Sequence, residues 1–485
     1  MATEKHTRRK VITSALKATL AAALAAGCEA TGRRPQAARS EVPMKTLTVG
    51  EGKYQGTTNA AIQQAVDDAA AAGGGTVVVA PGLYLMHDAL HLKSRVRLAG
   101  RPGAILRKVP SVQSRIPDGL GYGHYEVTVE EPDKFPIGTG VHVLDDGAGG
   151  FYTTVATVIA RDGDRLYLSR MLNHDIGVNR NGRVVSVYPI VEAEGVEDAA
   201  VEDLLIDGNC QEETFMLNGC RGGGVFLIRS ARVAIRRVEV RNFRGDAVSF
   251  QQCADILVER CHVHHNVGHG LHPGSGSVRY IMQDCRISDN GNCGCFYCLR
   301  TTHSICRRNE FRDNAGPGIS VGERDTDHLI AQNTIAGNGQ EAIVFRSPLR
   351  QSGDRVLVIE NRIGPNGVKD RRPEILIPAG LHEVHILDNT FTPGSGPALS
   401  VAQGCKRISF AGNKVGGREA GQAAGRQPGH ADIAGAVQEV LRDRPTDLPP
   451  VGPAALPLDG ARHLNVPKLP PWNETQMWAL AGSST

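Results

Sequence analysis

The sequence predicts an all-β chain folded as a parallel β-helix, a solenoid of short stacked strands. The first observation is a pattern that returns eight times, at spacings of 23, 24, 24, 24, 28, 28 and 24 residues. Repetition at a period of this length is typical of repeat architectures. The marker residues of the repeat are Val238, Cys261, Cys285, Asn309, Asn333, Asn361, Asn389 and Asn413.

The second observation is that apolar residues return at fixed positions around every marker. One stands three residues before the marker and one two residues after it, as Ile330 and Ile335 do around Asn333. A second apolar pair follows, such as Ile343 and Phe345. This period of two indicates strands. Because each unit is too short to bury its own apolar face, the units are expected to stack on one another.

The third observation is a column of asparagines five residues after the markers. Asparagine tolerates left-handed backbone angles and forms hydrogen bonds in turns. Stacked coils place equivalent residues roughly 4.8 Å apart, so these side chains are expected to mark one corner of the solenoid. They are Asn266, Asn290, Asn314, Asn338 and Asn366.

A helix is predicted ahead of the first strands. It opens near Thr58, carries Ile62, Ala65, Val66 and Ala69 on one face, and ends before the glycines 73–75. With this helix and the repeats, residues 45–415 resemble the right-handed β-helix proteins of the pectate lyase superfamily, which includes polysaccharide lyases and polygalacturonase-like hydrolases. In that family the helix covers the open end of the coil, where strand edges are otherwise unpaired.

The predicted division of the chain follows from these patterns. Alternating strands and Gly-Asp turns interrupt the period and indicate a small inserted β unit. A Gly/Pro-rich tail follows the last repeat, with one candidate helix at 432–441. The predicted segments are an export signal 1–27, a linker 28–44, first coils with the capping helix 45–117, the inserted unit 118–190, the coils 191–415 and the tail 416–485.

The first 28 residues resemble a bacterial export signal. Arg8 and Arg9 lie in a segment similar to a twin-arginine motif, and an apolar stretch follows. Residues 24–28 resemble a lipoprotein cleavage site, which implies lipidation of Cys28. The expected location is therefore the periplasm or the outer membrane, with a lipid anchor at Cys28.

The charge balance argues against general affinity for nucleic acid. The net charge of the chain is +3, but residues 1–27 contain five of its 54 basic residues and one of its 51 acidic residues. The remainder therefore has a net charge of −1, and nucleic acid is not an expected partner.

Polar and charged residues concentrate on one outward-facing strip of adjacent coils, between and just after the second apolar pairs. A rigid groove of this kind suits a polysaccharide laid across several coils. The residues of the strip are Ser249, Gln251, His272, Ser275, Cys298, Arg300, Ser320, Glu323 and Arg346, with Asp246, His269, Ser277, Arg279, His303, Arg324, Asp325 and Asp327 at neighbouring positions.

Two segments of the strip resemble polygalacturonase-like hydrolases in part. Residues 268–270 read Gly-His-Gly, as in a motif of that family, and Asp246 stands 23 residues before His269, where the family has a catalytic aspartate. The family has paired aspartates at this position, whereas Ala247 follows here. Residues 295–298, Cys-Phe-Tyr-Cys, replace its Arg-Ile-Lys motif.

Our leading prediction is β-elimination in a uronate-containing polysaccharide. Elimination requires a base, for which His272 is the candidate, and a cation that neutralises the uronate carboxylate, for which Arg300 and Arg346 are candidates. Asp246 and Glu323 complete the predicted catalytic set. The predicted substrate-binding residues are Gln251, His269, Ser275, Ser277, Arg279, His303, Arg324, Asp325 and Asp327.

Three alternatives remain open at this stage. Hydrolysis would need two carboxyl groups across the scissile bond, from among Asp246, Glu323, Asp325 and Asp327. A noncatalytic β-helix would bind the glycan without cleaving it. The family resemblance also includes uronate epimerases, which share the proton-abstraction step.

No cofactor is required by the sequence, although Asp325 and Asp327 permit a Ca²⁺ site. His262 and His264 share an outward face, where we expect them to form hydrogen bonds at a turn, with a transition-metal site as the alternative. Cys210 and Cys220 permit a disulfide in an oxidising compartment.

Overall fold

A computed structural model describes residues 45–213, 215–346, 353–378 and 380–419 of the 485-residue chain. The predicted export signal, Cys28, the linker and the helix at 432–441 lie outside these residues. None of the described helices is both long and apolar enough to cross a membrane.

The described chain opens with one short strand, one helix and five further strands. They are β1 Thr46–Val49, α1 Asn59–Ala71, β2 Gly75–Val79, β3 Gly82–Met86, β4 Leu90–His91, β5 Val96–Gly100 and β6 Ala104–Lys108.

Helix α1 confirms the predicted cap. It begins after Thr58, and its buried face is formed by Ala61, Ile62, Ala65, Val66 and Ala69, which join the main hydrophobic core. The helix packs on the first strands of the coil and so covers the open end of the apolar core.

A six-stranded antiparallel sheet interrupts the coil, as the inserted β unit was expected to do. It has its own small core around Phe135 and Val158. Its strands are β7 Gln113–Arg115, β8 Glu126–Thr128, β9 Gly140–Leu144, β10 Thr154–Asp162, β11 Arg165–Leu168 and β12 Arg183–Val185. The sheet starts and ends five residues earlier than the predicted bounds of 118–190, because β7 pairs with β12.

A buried charged cluster joins this inserted unit to the coil. Arg170 Nη1 of the unit lies 2.9 Å from Glu192 Oε1, and Thr157 donates a 2.7 Å hydrogen bond to Asp88. His91 Nδ1 lies 3.1 Å from Glu192 Oε2. Burial opposes both charged forms, but these partners outweigh it, raising the pKa of His91 to about 9 and lowering that of Glu192 to about 2.

The remaining strands build the coils. They are β13 Val191–Glu194, β14 Glu197–Glu202, β15 Leu205–Asp207, β16 Val225–Ile228, β17 Ala231–Arg236, β18 Glu239–Arg241, β19 Val248–Gln251, β20 Leu257–Glu259, β21 His262–His264, β22 Leu271–Gly274, β23 Val278–Gln283, β24 Arg286–Ser288, β25 Cys295–Phe296, β26 Thr302–Arg307, β27 Glu310–Arg312, β28 Ile319–Val321, β29 Thr326–Ala331, β30 Thr334–Ala336, β31 Ile343–Phe345, β32 Val356–Ile359, β33 Arg362–Ile363, β34 Ile375–Ile377, β35 Val384–Leu387, β36 Thr390–Phe391, β37 Leu399–Val401, β38 Ser409–Ala411, β39 Lys414–Val415 and β40 Arg418–Glu419. Five short 3₁₀ helices lie between strands, at Pro132–Lys134, Gly150–Tyr152, Val178–Arg180, Cys210–Glu212 and Val368–Asp370.

Three long sheets run along the solenoid, and successive coils contribute one strand to each. The first sheet has the order β1-β2-β5-β14-β17-β20-β23-β26-β29-β32-β35-β38, and the second has the order β37-β34-β31-β28-β25-β22-β19-β16-β13-β4. The third has the order β3-β6-β15-β18-β21-β24-β27-β30-β33-β36-β39-β40. All neighbouring strands of these sheets are parallel except β39 and β40. The inward residues form one continuous apolar core, which confirms the predicted stacking.

Two ladders of buried asparagines run along the coils. The predicted corner column is one: Asn290 Nδ2 donates to Asn314 Oδ1 at 2.9 Å, and Asn314 repeats the bond with Asn338. The marker residues form the second: Asn333 Nδ2 donates to Asn361 Oδ1 at 3.0 Å. Because each side chain bonds to the next coil, both ladders hold the coils in register.

Candidate active site on the second sheet

The outward side chains of the second sheet form two parallel columns, which together we name the polar lane. In the first column Ser249 pairs with His272 on the next coil, and Phe296 on the coil after that pairs with Ser320 on the following one. The second column contains Gln251, Gly274, Cys298, Gly322 and Arg346. Alternation of the strand residues turns both columns away from the core.

Two glycines let the second column close around Cys298. A Cβ atom on Gly274 would overlap the amide of Gln251, and one on Gly322 would overlap the guanidinium of Arg346. The long side chains of Gln251 and Arg346 therefore occupy the space beside the glycines, one from the coil before Gly274 and the other from the coil after Gly322. This arrangement brings both towards the coil that carries Cys298.

A buried carboxylate–imidazole pair lies at the centre of the lane. Asp246 Oδ2 is 2.6 Å from His272 Nδ1, and the backbone N–H of His269 donates a 2.7 Å hydrogen bond to Asp246 Oδ1. The exposed fractions are 2% for Asp246 and 4% for His272. A Cβ atom on Gly219 would overlap both side chains, so the loop before β16 covers this pair.

The electrostatics of the pair favour a protonated imidazole. Burial opposes the imidazolium form, but the bond with Asp246 and the neighbouring Cys298 thiol outweigh it and raise the pKa of His272 to about 9. Burial likewise opposes the carboxylate of Asp246, yet the bond with His272 lowers its pKa from the usual value. Asp246 fixes the proton on Nδ1 of the ring, an orienting role that carboxylates often have beside histidine.

The other ring nitrogen of His272 lies on the side away from Asp246. His272 Nε2 is buried and makes no hydrogen bond of good geometry, and Cys298 is a polar neighbour of the ring. Cys298 is partly exposed, unlike His272. The thiol is therefore the member of the Cys298–His272–Asp246 series that a ligand in the lane can touch.

Arg346 lies two coils beyond Cys298 in chain order. Its Nη1 donates to Ser320 Oγ at 2.7 Å and its Nη2 to the carbonyl oxygen of Tyr297 at 2.6 Å. The guanidinium carbon stands 4.0 Å from the centre of the Phe296 ring, and His269 stacks on that ring at 4.2 Å. Because these contacts fix the guanidinium, the lane has a positioned positive charge close to the thiol.

His269 is uncharged in this setting. Burial, together with the charges of His272 and Arg346, lowers the pKa of His269 to about 4. Its Nδ1 accepts a 3.3 Å hydrogen bond from the backbone N–H of Cys293. His269 is therefore a neutral residue that packs on Phe296 and donates its backbone N–H to the Asp246 carboxylate, and it carries no positive charge.

Three predicted residues lie at the edge of the lane. Glu323 and Arg324 are partly exposed and form an ion pair at 3.3 Å, and Arg300 is exposed at a turn with a φ of 65°. Gln251 is buried, and its Nε2 donates to Ser249 Oγ at 2.9 Å. The structure thus brings Asp246, His269, His272, Gln251 and Arg346 together and leaves Arg300, Glu323 and Arg324 at the margin.

Four other predicted residues form bonds within the protein that stabilise the fold or turn the chain. Ser277 is fully buried and donates to the Gly274 carbonyl oxygen at 2.8 Å, and Ser275 turns the chain with a φ of 47°. Asp325 is buried and accepts hydrogen bonds from the backbone N–H groups of Thr301 and Gly322. Burial raises the pKa of Asp325 to about 6. Asp327 binds Arg355 through both carboxylate oxygens.

Arg279, His303 and Asp327 do not belong to the lane, because each is the second residue of a strand of the first sheet, in β23, β26 and β29. There residues with positive φ stack in a column of charged groups, and Arg279 binds Asp255 through two hydrogen bonds of 2.7 and 2.9 Å. The column consists of Asp198, Arg232, Asp255, Arg279, His303, Asp327, Arg355, Glu383 and Arg407. Since acidic and basic residues mostly alternate, the column stabilises the stacking of coils.

Sequence reasoning placed Cys298 in the lane but assigned it no role. The signal was its outward position in the alternating pattern, together with the two glycines that flank it across the coils. Cys210 and Cys220, for which a disulfide was considered, are both free thiols. Asp325 and Asp327, which the sequence permits as Ca²⁺ ligands, accept hydrogen bonds from other residues of the protein, and a Ca²⁺ site there stays a prediction.

Comparison with known proteins agrees with this architecture. Residues 206–363 match the family model described as right handed beta helix region. No curated protein sequence matches the chain.

Solved structures with the same architecture cover most of the chain. The A-module of mannuronan C-5 epimerase AlgE6 from Azotobacter vinelandii is 19% identical, with a TM-score of 0.52 over 76% of this chain and 92% of that one. The Dettilon tailspike protein is 13% identical, with a TM-score of 0.50 over 78% of this chain and 68% of that one. With these likenesses, the parallel sheets and the stacked asparagines identify the chain as a right-handed parallel β-helix protein.

Proposed function

We propose that the protein is an enzyme that removes the proton beside the carboxylate of a uronate residue in an acidic polysaccharide, and that the reaction is β-elimination. The observation that carries the proposal is the series Cys298–His272–Asp246, with Arg346 held in the same lane. A proton acceptor and a fixed cation are the two groups that this chemistry requires.

The proton acceptor in contact with the substrate is the Cys298 sulfur, because His272 is buried behind it. His272, oriented by Asp246, carries a proton and pairs as the imidazolium with the Cys298 thiolate, and this thiolate removes the C5 proton of the uronate. The C4–O bond breaks as the C4–C5 double bond forms, and the thiol returns the proton to the leaving oxygen. Each group is restored, so the step needs no further reactant.

The cation is Arg346. Proton removal shifts negative charge onto the carboxylate, and a planar guanidinium can bind both carboxylate oxygens. Because Arg346 is already fixed by Ser320 and Tyr297, little reorganisation is needed as the charge develops. Arg300 is a second candidate from the exposed margin.

Epimerisation is the second candidate, and it begins with the same proton removal. In its support, the structure of a mannuronan C-5 epimerase module shares the fold over 92% of its length. Epimerisation returns the proton to the opposite face of the sugar, whereas elimination breaks the glycosidic bond. Hydrolysis has less support, since Asp246 is buried against His272 and does not face a ligand in the lane.

Ultraviolet absorbance separates these reactions. Elimination creates an unsaturated sugar that absorbs near 235 nm, so incubation with polygalacturonate or polymannuronate should raise this absorbance. Cys298→Ser, His272→Gln and Arg346→Lys should each slow the rise about 100-fold or more. His303→Gln, outside the lane, is the matched control and should keep the wild-type rate.

Other outcomes would redirect the proposal. Deuterium incorporated at C5 in D₂O without absorbance would indicate epimerisation, and new reducing ends without absorbance would indicate hydrolysis. Retention on a uronate affinity gel with no product of any kind would indicate a binding protein.

We also propose that the protein is exported and held at a bacterial membrane by lipid on Cys28, on the strength of the Arg8-Arg9 and Leu24–Cys28 segments. Cys28→Ala should move the protein from the membrane fraction to the soluble fraction of an expressing cell. Mass spectrometry that finds no lipid on Cys28 of the wild-type protein would contradict the anchor.

A further inference from the structure

Two histidines and a glutamate meet on the third sheet, on a different sheet from the polar lane. His262 and His264 are two residues apart on β21, so both project from the same side of the strand. Glu239 lies on the neighbouring strand β18, in register with His262. The sequence patterns that support the proposed enzyme do not involve these three residues.

Their ligand atoms lie close enough to share one ion. One nitrogen of each histidine and one carboxylate oxygen of Glu239 all lie within 4.8 Å of one another. His264 Nε2 is 3.3 Å from Glu239 Oε1, and the two imidazole rings stack with their centres 4.0 Å apart. Small side-chain rotations would bring the three atoms to the roughly 2 Å metal–ligand distances of a zinc site.

His265 supplies the orienting contact that metal-binding histidines usually have. Its Nδ1 is 2.7 Å from His264 Nδ1, so one of the two nitrogens donates a hydrogen to the other. When His264 Nδ1 is the donor, its Nε2 carries a lone pair that points towards Glu239. A bond of this kind fixes the tautomer and the ring orientation of a metal ligand.

The surrounding charges permit a cation. Neutral imidazole is the form that binds a metal ion, and His262, His264 and Glu239 are all partly exposed, so an ion can reach them. Arg241 and Arg286 are the nearby cations. Arg241 is shared between Glu239 and Asp207, each at 3.2 Å, and Arg286 lies 3.9 Å from Glu310.

We propose that Glu239, His262 and His264 bind one divalent transition-metal ion, with Zn²⁺ as the best match to two imidazoles and a carboxylate. Imidazole ligands favour Zn²⁺ and its neighbours over Ca²⁺ and Mg²⁺, which prefer oxygen. Three protein ligands leave the remaining position for water. The ion would join β18 to β21 and so link two successive coils.

Zn²⁺ titration of the full-length protein by isothermal calorimetry tests the site. The accessible thiols are first capped with iodoacetamide, because cysteines also bind Zn²⁺. We expect one equivalent to bind at pH 7.5, with affinity lost at least tenfold in His262→Gln, His264→Gln and Glu239→Gln. His265→Gln should weaken binding by about 10- to 100-fold, as expected for an orienting partner.

His124→Gln is the matched control, since His124 is an exposed histidine in the inserted unit that also pairs with a glutamate. It should bind Zn²⁺ as the wild type does. No saturable binding by the wild type, or unchanged binding by both His262→Gln and His264→Gln, would overturn the proposal. Co²⁺ gives a second measurement, because visible absorption bands that vanish in His264→Gln report imidazole ligation directly.

Discussion

At the scale of single residues, the account depends on the buried pair of Asp246 and His272. Taking two charged groups out of water is costly unless each finds its partner. Here the 2.6 Å contact supplies that partner, and the Cys298 thiol is a further polar neighbour of the ring. The pair should therefore stabilise the fold and support the proposed reaction. Unfolding experiments measure the first effect and reaction rates measure the second.

Asp246→Asn should destabilise the fold and slow the reaction together. An amide in place of the carboxylate leaves His272 without its negative partner, which is expected to lower the free energy of unfolding by about 3 kcal/mol or more. Urea unfolding measures the loss. Asp284→Asn, in a more exposed pair with Arg308, is the control and should cost no more than about 1 kcal/mol. Equal losses in the two variants would argue against a buried charged pair.

The pH dependence of stability should report the proton on His272. Its pKa of about 9 in the folded protein lies above the value near 6.5 of an unfolded histidine. The stabilisation is therefore complete below about pH 6.5 and is lost as the pH rises towards 9. The difference in unfolding free energy between the wild type and His272→Gln should shrink over this interval. A difference that stays constant or grows from pH 6.5 to 9 would show that His272 is neutral in the folded state.

At the scale of elements, the asparagine ladders explain why the repeat is so regular. Asn333 donates to the Cys306 carbonyl oxygen and to Asn361, and it accepts from the backbone and side chain of Asn309. A column of this kind satisfies buried backbone groups at every coil. Cys261 and Cys285 take the same positions in the earlier coils, where Cys285 Sγ accepts from the backbone N–H of Cys261.

Asn333→Ala should therefore cost far more than an ordinary surface substitution. It removes the acceptor of the buried backbone and side-chain N–H groups of Asn309 and the donor to the Cys306 carbonyl oxygen, at about 2 to 4 kcal/mol in total. Thermal or urea unfolding measures the change. Asn179→Ala, at an exposed position of the inserted unit, should lie within about 0.5 kcal/mol of the wild type. If Asn333→Ala lowers the free energy of unfolding by less than about 1 kcal/mol, water must replace the hydrogen bonds of the Asn333 side chain.

The elements also show what sequence could and could not predict. Column positions along the repeat follow from period two and period 24, so the core and the lane containing His272 and Arg346 were predictable. The capping helix was predictable from its own apolar face and the glycines that end it. Arg279 and Asp327 were assigned to the same surface because they stand close to it in sequence. The chain turns sharply after β22 and β28, which carries them to the first sheet, and no periodicity reveals where a turn points.

Side-chain contacts between neighbouring coils could not be predicted from the sequence either. The contact between Asp246 and His272 joins residues 26 positions apart on neighbouring coils. The role of Cys298 follows from side chains that lean over Gly274 and Gly322, which depends on rotamers rather than on pattern. Sequence therefore located the lane, and the structure was needed to show which of its groups meet.

At the scale of the whole molecule, the inserted sheet is fixed to the coil by the cluster around Glu192. Glu192→Gln should loosen this attachment, because His91 and Arg170 lose their shared buried anion, at a cost of about 3 kcal/mol. Limited proteolysis should then cut within residues 113–185 sooner than in the wild type. Asp133→Asn removes an exposed ion pair with Arg161 and is the control. Unchanged proteolysis in Glu192→Gln would show that apolar contacts alone hold the unit.

The solenoid presents a rigid polar lane along which a polysaccharide can bind across several coils. The proposed reaction begins with removal of the C5 proton of a uronate residue. The most direct measurement uses a polyuronate labelled with deuterium at C5 and follows release of the label into water. We expect the wild type to release deuterium into water, and Cys298→Ser and His272→Gln to release it at least 100-fold more slowly. Product formation with the C5 label fully retained, or equal release by the variants, would contradict proton abstraction in the polar lane.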